Sequence, residues 1–347
     1  MPPKGTRKNK LKDRLLPISD NEEVEEEIQY EKLTVEINNL DDLISLGKSY
    51  NPRKRKRYNI DLKTLSYLIE PLQDLQSMIG LKSVKENIVN QIMYFLQNFH
   101  DGKLDMLHTV IQGSPGVGKT ALGKILGRIY LNMGILKNDR FFIAKRSDLI
   151  GRYLGHTAEK TQRVINSCYG GVLFIDEAYS LGDKEGRDSF SKECLDTLNQ
   201  NLSENRNDFM CIIAGYENAL KECFFSVNEG LERRFNYRFT IDPYDPEDLR
   251  LILIKLINEG VWKIKEPIAE NLPVEFFKQH KFKNQGGDME TLFVNIKMAH
   301  SRRVFTLEES DKKIITKEDL EKGYICMNKN SEKKKEQIPQ YLLNMYI

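Results

Sequence analysis

The chain has little of what builds covalent or metal-based scaffolds. Its five cysteines, Cys168, Cys194, Cys211, Cys223 and Cys326, are odd in number and include no C-x-x-C pair. That argues against a disulfide framework or a zinc site and suits reduced, mostly buried thiols in a reducing compartment. The five histidines are scattered, none of them paired at metal-ligand spacing. No apolar run is long enough to span a bilayer, and no apolar core follows the basic residues at the start, so neither a membrane span nor a secretory signal is expected. Charge of one sign is not in excess either. Lys+Arg 53 against Asp+Glu 51 leaves a formal net charge of +2, so any electrostatic partner must be chosen by a local patch. Internal repeats and low-complexity linkers are missing as well.

What is present is an ordinary globular composition, 40% hydrophobic and 30% charged over 347 residues, enough for two domains or for one with a large appendage. The stretch that organises it runs Gly113, Ser114, Pro115, Gly116, Val117, Gly118, Lys119, Thr120, with Ala121 next. Its spacing is G-x-x-x-x-G-K-[ST], a phosphate-binding loop. Glycines let backbone N–H groups turn inward around a polyphosphate, and the following helix aims the positive end of its dipole at the same anion. Lys119 then reaches the β and γ phosphates, and the Thr120 hydroxyl binds Mg²⁺. A glycine- and proline-rich turn with an incidental lysine is the plain alternative. Against it stands the context: Met106 to Gln112 is strand-like and Ala121 to Met133 has helical apolar spacing, so strand, loop and helix follow in the required order.

Upstream, residues Met1 to about Asn59 carry blocks of like charge: a basic start, an acidic run Glu22 to Glu27 and the basic run Arg53 to Arg57. Such blocks stay disordered as a solvated arm, or act as a nuclear-import or nucleic-acid-binding patch. Tyr30, Leu33, Val35 and Ile37 alternate with polar residues, which leaves room for a short strand. Order is expected to begin at Asp61, an N-cap, with Ser83 and Glu86 forming a capping box before Val84, Ile88, Ile92 and Phe95. Downstream, Arg140 to Ala144, Gly171 to Asp176, Phe209 to Ala214 and Tyr237 to Ile241 read as further strands separated by helices. The expected fold is α/β, a doubly wound parallel sheet of five strands with its ligand at the strands' carboxyl ends. From Asp245, with Pro246 at the first helical position, only helical segments follow. The expected divisions are a charged arm, 1–60; an α/β unit with leading helices, 61–244; a helical lid, 245–330; and a tail, 331–347.

Val172 to Glu177 (VLFIDE) supplies the acids that a phosphate loop needs. Asp176 would orient Mg²⁺, and Glu177 would polarise the water attacking the γ phosphate. An acidic pair closing a buried strand can also cap a helix; the phosphate loop ahead of it favours chemistry.

Ile79-Gly80-Leu81, the phosphate loop, Gly171 to Leu181, Ala214-Gly215-Tyr216 and Asn228 to Phe235, in that order, resemble an AAA+ ATPase. Asp148 to Thr161 is similar to the branch of CbbX-type Rubisco activases and SpoVK-type sporulation proteins. The resemblance covers about Ile79 to Arg303. It implies ATP and Mg²⁺ as cofactors and a homo-oligomeric ring, a hexamer, that remodels a protein client. A nucleic-acid motor or loader using the basic arm is one alternative, and an ATP-dependent assembly scaffold another. It further implies that Ile79 and Gly80 touch adenine and that Gly286 and Gly287 pack against the nucleotide. Arg234, with Arg233 in reserve, reaches the neighbouring subunit's site; a surface pair capping the next strand is the alternative. Tyr153 grips polypeptide in a central pore or is a half-buried anchor, and Lys184 to Asp188 forms a second pore loop. Two departures stand out: Tyr216 occupies the place of a polar sensor, and Asp288 stands where a second sensor arginine is usual. Tyr216 either substitutes its hydroxyl or is core. The implied compartment is the cytoplasm, or the nucleus if the basic run is an import signal.

Overall fold

The computed structural model describes residues 29–53, 56–101, 105–153, 155–183, 187–308 and 312–336. The basic start, the acidic run Glu22 to Glu27, Lys54, Arg55, Lys184 to Gly186 and the Tyr341 to Ile347 tail lie outside the described residues. The main sheet has five parallel strands, numbered here β1 Thr109–Gly113, β2 Phe141–Ala144, β3 Val172–Ile175, β4 Met210–Gly215 and β5 Tyr237–Ile241, in the order β2-β3-β4-β1-β5. Thr109 lies opposite Ile212 on one side and Tyr237 on the other.

The central strands β3 and β4 are unbroken apolar runs, buried along their whole length because helices cover both faces. Successive β3 residues feed opposite cores. Val172 and Phe174 join the layer of Ile111, Ile212 and the helix Lys119–Asn132, whereas Leu173 and Ile175 join the layer of Val110, Ile213 and the helix Ser189–Glu204. Gly123 lets the helix after the phosphate loop lie close on the sheet, since a Cβ there would sit 2.6 Å from the Phe174 ring. Phe174 is fully buried, and truncating it to alanine costs about 3–5 kcal/mol on the scale of such core cavities.

The expectation of a disordered arm up to residue 60 does not hold for its second half. Leu40, Leu43, Ile44 and Leu46 form one face of the helix Leu40–Lys48, capped by an Asn39–Asp42 box, and pack in the same core as Leu65, Leu68 and Leu72. Ahead of it, Gln29–Glu31 pairs in parallel with Lys56–Tyr58, and Lys56 bonds Glu31 at 2.7 Å. The end of the basic run is thus a strand. Asp61 caps its helix as expected, accepting from the Thr64 N–H at 3.0 Å. The Ser83–Glu86 box is not formed. The helix Lys82–Leu96 instead starts after Leu81 in the left-handed region (φ 61°), with no side-chain cap.

After Pro246, capped by an Asp245–Asp248 box, the chain is helical: Pro246–Glu259, Ile268–Asn271, Val274–Gln279, Gly286–Arg303 and Lys317–Glu336. A two-residue parallel ladder, Lys263–Ile264 with Ile314–Ile315, is an addition to that helical reading. Leu253, Ile257, Met289, Leu292, Ile296 and Leu320 form a separate core. Asp319 is buried beside it, accepting from both Thr316 N–H (2.9 Å) and hydroxyl (3.0 Å) and from Arg303 (2.8 Å), with His300 Nδ1 at 3.0 Å. Burial pushes this carboxyl up, but Arg303, His300 and Thr316 together outweigh it and hold it at about 2. Among the described residues no helix is long and apolar enough to cross a membrane, and all five cysteines are free, three of them buried.

Candidate functional site

The loop between β1 and the helix Lys119–Asn132 turns through Gly116 and Gly118, both at positive φ (73° and 86°). Gly116 is also sterically obligatory, because a Cβ would run into the Asn284 carbonyl. Lys119 folds back over the loop, donating to the Gly113 carbonyl at 3.0 Å and the Ser114 carbonyl at 2.8 Å. Burial lowers its pKa, against the opposing carboxylates of Asp176 and Glu177.

A cavity of about 390 Å³ opens at the carboxyl ends of β1, β3 and β4. Pro115, Gly116, Gly118, Lys119, Thr120 and Ala121 line one side; Asp176, Glu177 and Tyr179 line a second; Gly215, Tyr216, Gly287 and Glu290 complete it. Asp176 lies 3.5 Å from the Thr120 hydroxyl and accepts the Glu177 N–H at 3.0 Å. Two hard oxygen donors at the loop's end fit a divalent cation such as Mg²⁺. Glu177 sits at φ 50°, a left-handed conformation that costs a non-glycine residue about 1–2 kcal/mol and turns its exposed carboxylate at the strand's end.

Tyr216 is not core. It is 37% exposed, lines the cavity and stacks on Tyr179, ring centroids 5.4 Å apart and planes at 25°. Burial first, then the Glu177 carboxylate, push the Tyr179 hydroxyl up to about 12. The Lys119 ammonium lies 5.3 Å from the Tyr216 ring centroid.

The lid touches the loop directly. A Cβ on Gly286 would sit 2.6 Å from the Gly116 carbonyl, and Gly287 lines the cavity. Asp288 turns to Asn284, accepting its backbone N–H and side-chain amide at 2.9 Å each. Ile79 and Gly80 are half-buried outside the cavity lining, and a Cβ on Gly80 would meet the Tyr244 ring at 3.3 Å.

Arg234, Arg233 and Tyr153 also lie outside the cavity lining. Arg234, half-buried, donates from Nε to the Ser203 hydroxyl at 2.6 Å, while Arg233 is exposed. Tyr153 is 68% exposed, its ring edge-on to His156 at 5.6 Å, so it is no half-buried anchor. Its loop is held where Gly151 N–H donates to the Thr157 hydroxyl at 3.1 Å. Arg146, at the start of the short helix Arg146–Leu149, pairs with Asp188 and donates to the Ser191 hydroxyl at 2.9 Å. That pair ties the Tyr153 loop's helix to the end of the expected second loop, whose residues 184–186 lie outside the described residues. The Ser191 hydroxyl and Arg146 hold the Asp188 carboxyl down at about 2, against burial.

Sequence reasoning missed Tyr179, Glu290 and Tyr244. Tyr179 stands two residues past Glu177 within the quoted segment, and Glu290 follows the two lid glycines, so both positions were in view without a reason to single them out. Tyr244 gave a weaker signal, an aromatic just before the Asp245 cap.

Residues 109–243 match the family described as ATPase family associated with various cellular activities (AAA). A cfxQ-like protein of Acanthamoeba polyphaga mimivirus is 43% identical over 298 residues, 85% of this chain and 73% of that one. A chloroplastic ribulose bisphosphate carboxylase/oxygenase activase of Cyanidioschyzon merolae is 30% identical over 258 residues, 72% and 87% of the two chains. The solved FIGL-1 AAA domain in complex with ADP is similar in fold, with TM-score 0.53 and 19% identity over 72% of this chain and 83% of that one. The chain belongs to the AAA ATPase family, in the CbbX- and SpoVK-type branch that its sequence resembles.

Proposed function

We propose that this ATPase is a ring motor, a homo-hexamer, that remodels a protein client. The observation that carries the reading is the split arrangement of its groups. Lys119, Thr120, Asp176 and Glu177 line one cavity, while Arg234 lies outside that cavity in its own chain and Tyr153 stands exposed on a glycine-flanked loop. An arginine that serves no site within its own subunit suits one supplied to a neighbour, which makes hydrolysis depend on assembly.

Within the cavity, Lys119 leaves the loop carbonyls for the β and γ phosphates, and Glu177 polarises the attacking water. Thr120 and Asp176 would hold Mg²⁺, which neutralises charge on the β- and γ-phosphate oxygens when bound. Gly286, Gly287, Ile79 and Gly80 bring the lid and the leading segment against the nucleotide, so the boundary between the unit 61–244 and the lid 245–330 is where hydrolysis changes the angle. The relative named as an activase of another enzyme supports a protein as the client. Free, mostly buried thiols support a reducing compartment, the cytoplasm.

The test is the ATPase rate with an unfolded polypeptide, or with single-stranded DNA or RNA, added to wild type and to Tyr153→Ala. Stimulation by polypeptide that vanishes in Tyr153→Ala is the expected result. Stimulation by nucleic acid alone would overturn the reading in favour of a nucleic-acid motor.

A further inference from the structure

Three observations converge on Tyr216. The Lys119 ammonium has three N–H donors; two go to the Gly113 and Ser114 carbonyls, and the Tyr216 ring is a further neighbour, 5.3 Å from ammonium to centroid. That ring stacks on Tyr179, near-parallel at 25°, and Tyr179 is itself fixed on the 3₁₀ turn Ala178–Leu181, whose flanking Ala178 and Leu181 are fully buried. The Tyr216 hydroxyl, in contrast, has no hydrogen-bond partner among the described residues; its backbone carbonyl accepts from Leu220 N–H at 2.8 Å.

A cation over an aromatic face is attracted by the ring quadrupole, which phenylalanine shares with tyrosine and an aliphatic side chain lacks. The attraction grows when the cation is desolvated, and Lys119 is half-buried. Lysine is a flexible point charge on a four-carbon stem, so a wall that confines it lowers the entropy lost when it grips a phosphate.

We propose that Tyr216 is a positioning residue for Lys119: its ring face, stacked with Tyr179, holds the ammonium over the phosphate loop, and its hydroxyl is dispensable. This rests on Lys119 being the phosphate-binding lysine. It differs from a sensor role, in which the hydroxyl itself would act on the γ phosphate or the attacking water.

The experiment compares ATP affinity, by displacement of a fluorescent ATP analogue, with kcat for Tyr216→Leu, Tyr216→Gln and Tyr216→Phe. Lys119→Ala is run beside them. The two variants without a ring weaken ATP binding about 3- to 30-fold, the range of a single cation–π contact. Tyr216→Phe rescues both affinity and kcat to within about 2-fold. A Tyr216→Phe variant that loses kcat as Tyr216→Leu does, with affinity intact, would show that the hydroxyl works as a sensor and overturn the proposal. Affinity unchanged in both ringless variants would overturn it as well, and having two of them guards against one that folds poorly. Loss of affinity in Lys119→Ala keeps these outcomes separate from failure of the phosphate-loop reading, which unchanged affinity in that variant would signal.

Discussion

The Tyr244 hydroxyl donates to the Val117 carbonyl at 3.0 Å, while the Tyr244 N–H donates to the Gln285 side-chain carbonyl, also at 3.0 Å. One residue at the boundary between the sheet and the helical lid therefore holds both the phosphate loop and the turn that starts the lid helix Gly286–Arg303. Val117 is fully buried and Gly118 follows it at φ 86°, so the loop has little freedom to move without breaking that bond. Tyr244 thus adds a side-chain link between loop and lid to the direct approach of Gly286 to Gly116.

Tyr244→Phe removes the hydroxyl and leaves the Val117 carbonyl without that donor. The expected loss is about 1 kcal/mol of stability, the net worth of one hydrogen bond, read by urea unfolding. If the coupling is real, bound nucleotide protects the lid less in the variant, which hydrogen exchange over residues 284–303 measures. Identical exchange in both proteins would argue that Tyr244 merely packs.

Asp319 gives the lid an acid-sensitive joint. Its folded pKa of about 2 lies below the ordinary aspartate value, so its contribution is present above about pH 4 and is lost as pH falls toward 2. The depression corresponds to about 2–3 kcal/mol at neutral pH. Urea unfolding of wild type at pH 7 and pH 3 should show this loss. Asp319→Asn should start lower, by about 3–5 kcal/mol for breaking a buried pair around Arg303 and His300, and should depend less on pH over that window. An equal pH slope in the two proteins would move the acid sensitivity elsewhere.

How much of this was readable beforehand follows from where each signal resides. Val172 to Ile175 and Met210 to Gly215 are buried on both faces, and their unbroken apolar runs marked them as sheet interior. The turn through Gly116 and Gly118 was legible because the glycines that form it are close together in sequence. The helix Leu40–Lys48 is hidden in composition by the charged blocks around it, and only the i, i+3, i+4 spacing of Leu40, Leu43 and Ile44 betrays its apolar face. Ser83 and Glu86 fit a capping box by spacing alone, and the left-handed Leu81 placed the helix start elsewhere. Tyr244 shows in the sequence only as an aromatic before the Asp245 cap: its partner Val117 is 127 residues away, and only the packing of lid on sheet brings them together. The Tyr216–Tyr179 stack is of the same kind, formed between the ends of two strands that neighbour each other only in the sheet.

The central claim, that the site is completed by a second subunit, is tested most directly by complementation. Arg234→Ala keeps Lys119, Asp176 and Glu177 but offers nothing to its neighbour; Glu177→Gln binds ATP without activating water yet still presents Arg234. Each alone should fall by about 10²-fold or more in kcat. Mixed in equal amounts and allowed to exchange, about a quarter of the interfaces in a closed ring pair an intact Glu177 with an intact Arg234. The account predicts that ATPase activity returns in the mixture, toward that fraction of the wild-type rate. A mixture as inactive as its two components, at every ratio and with mixed oligomers confirmed by differential tagging, would contradict it.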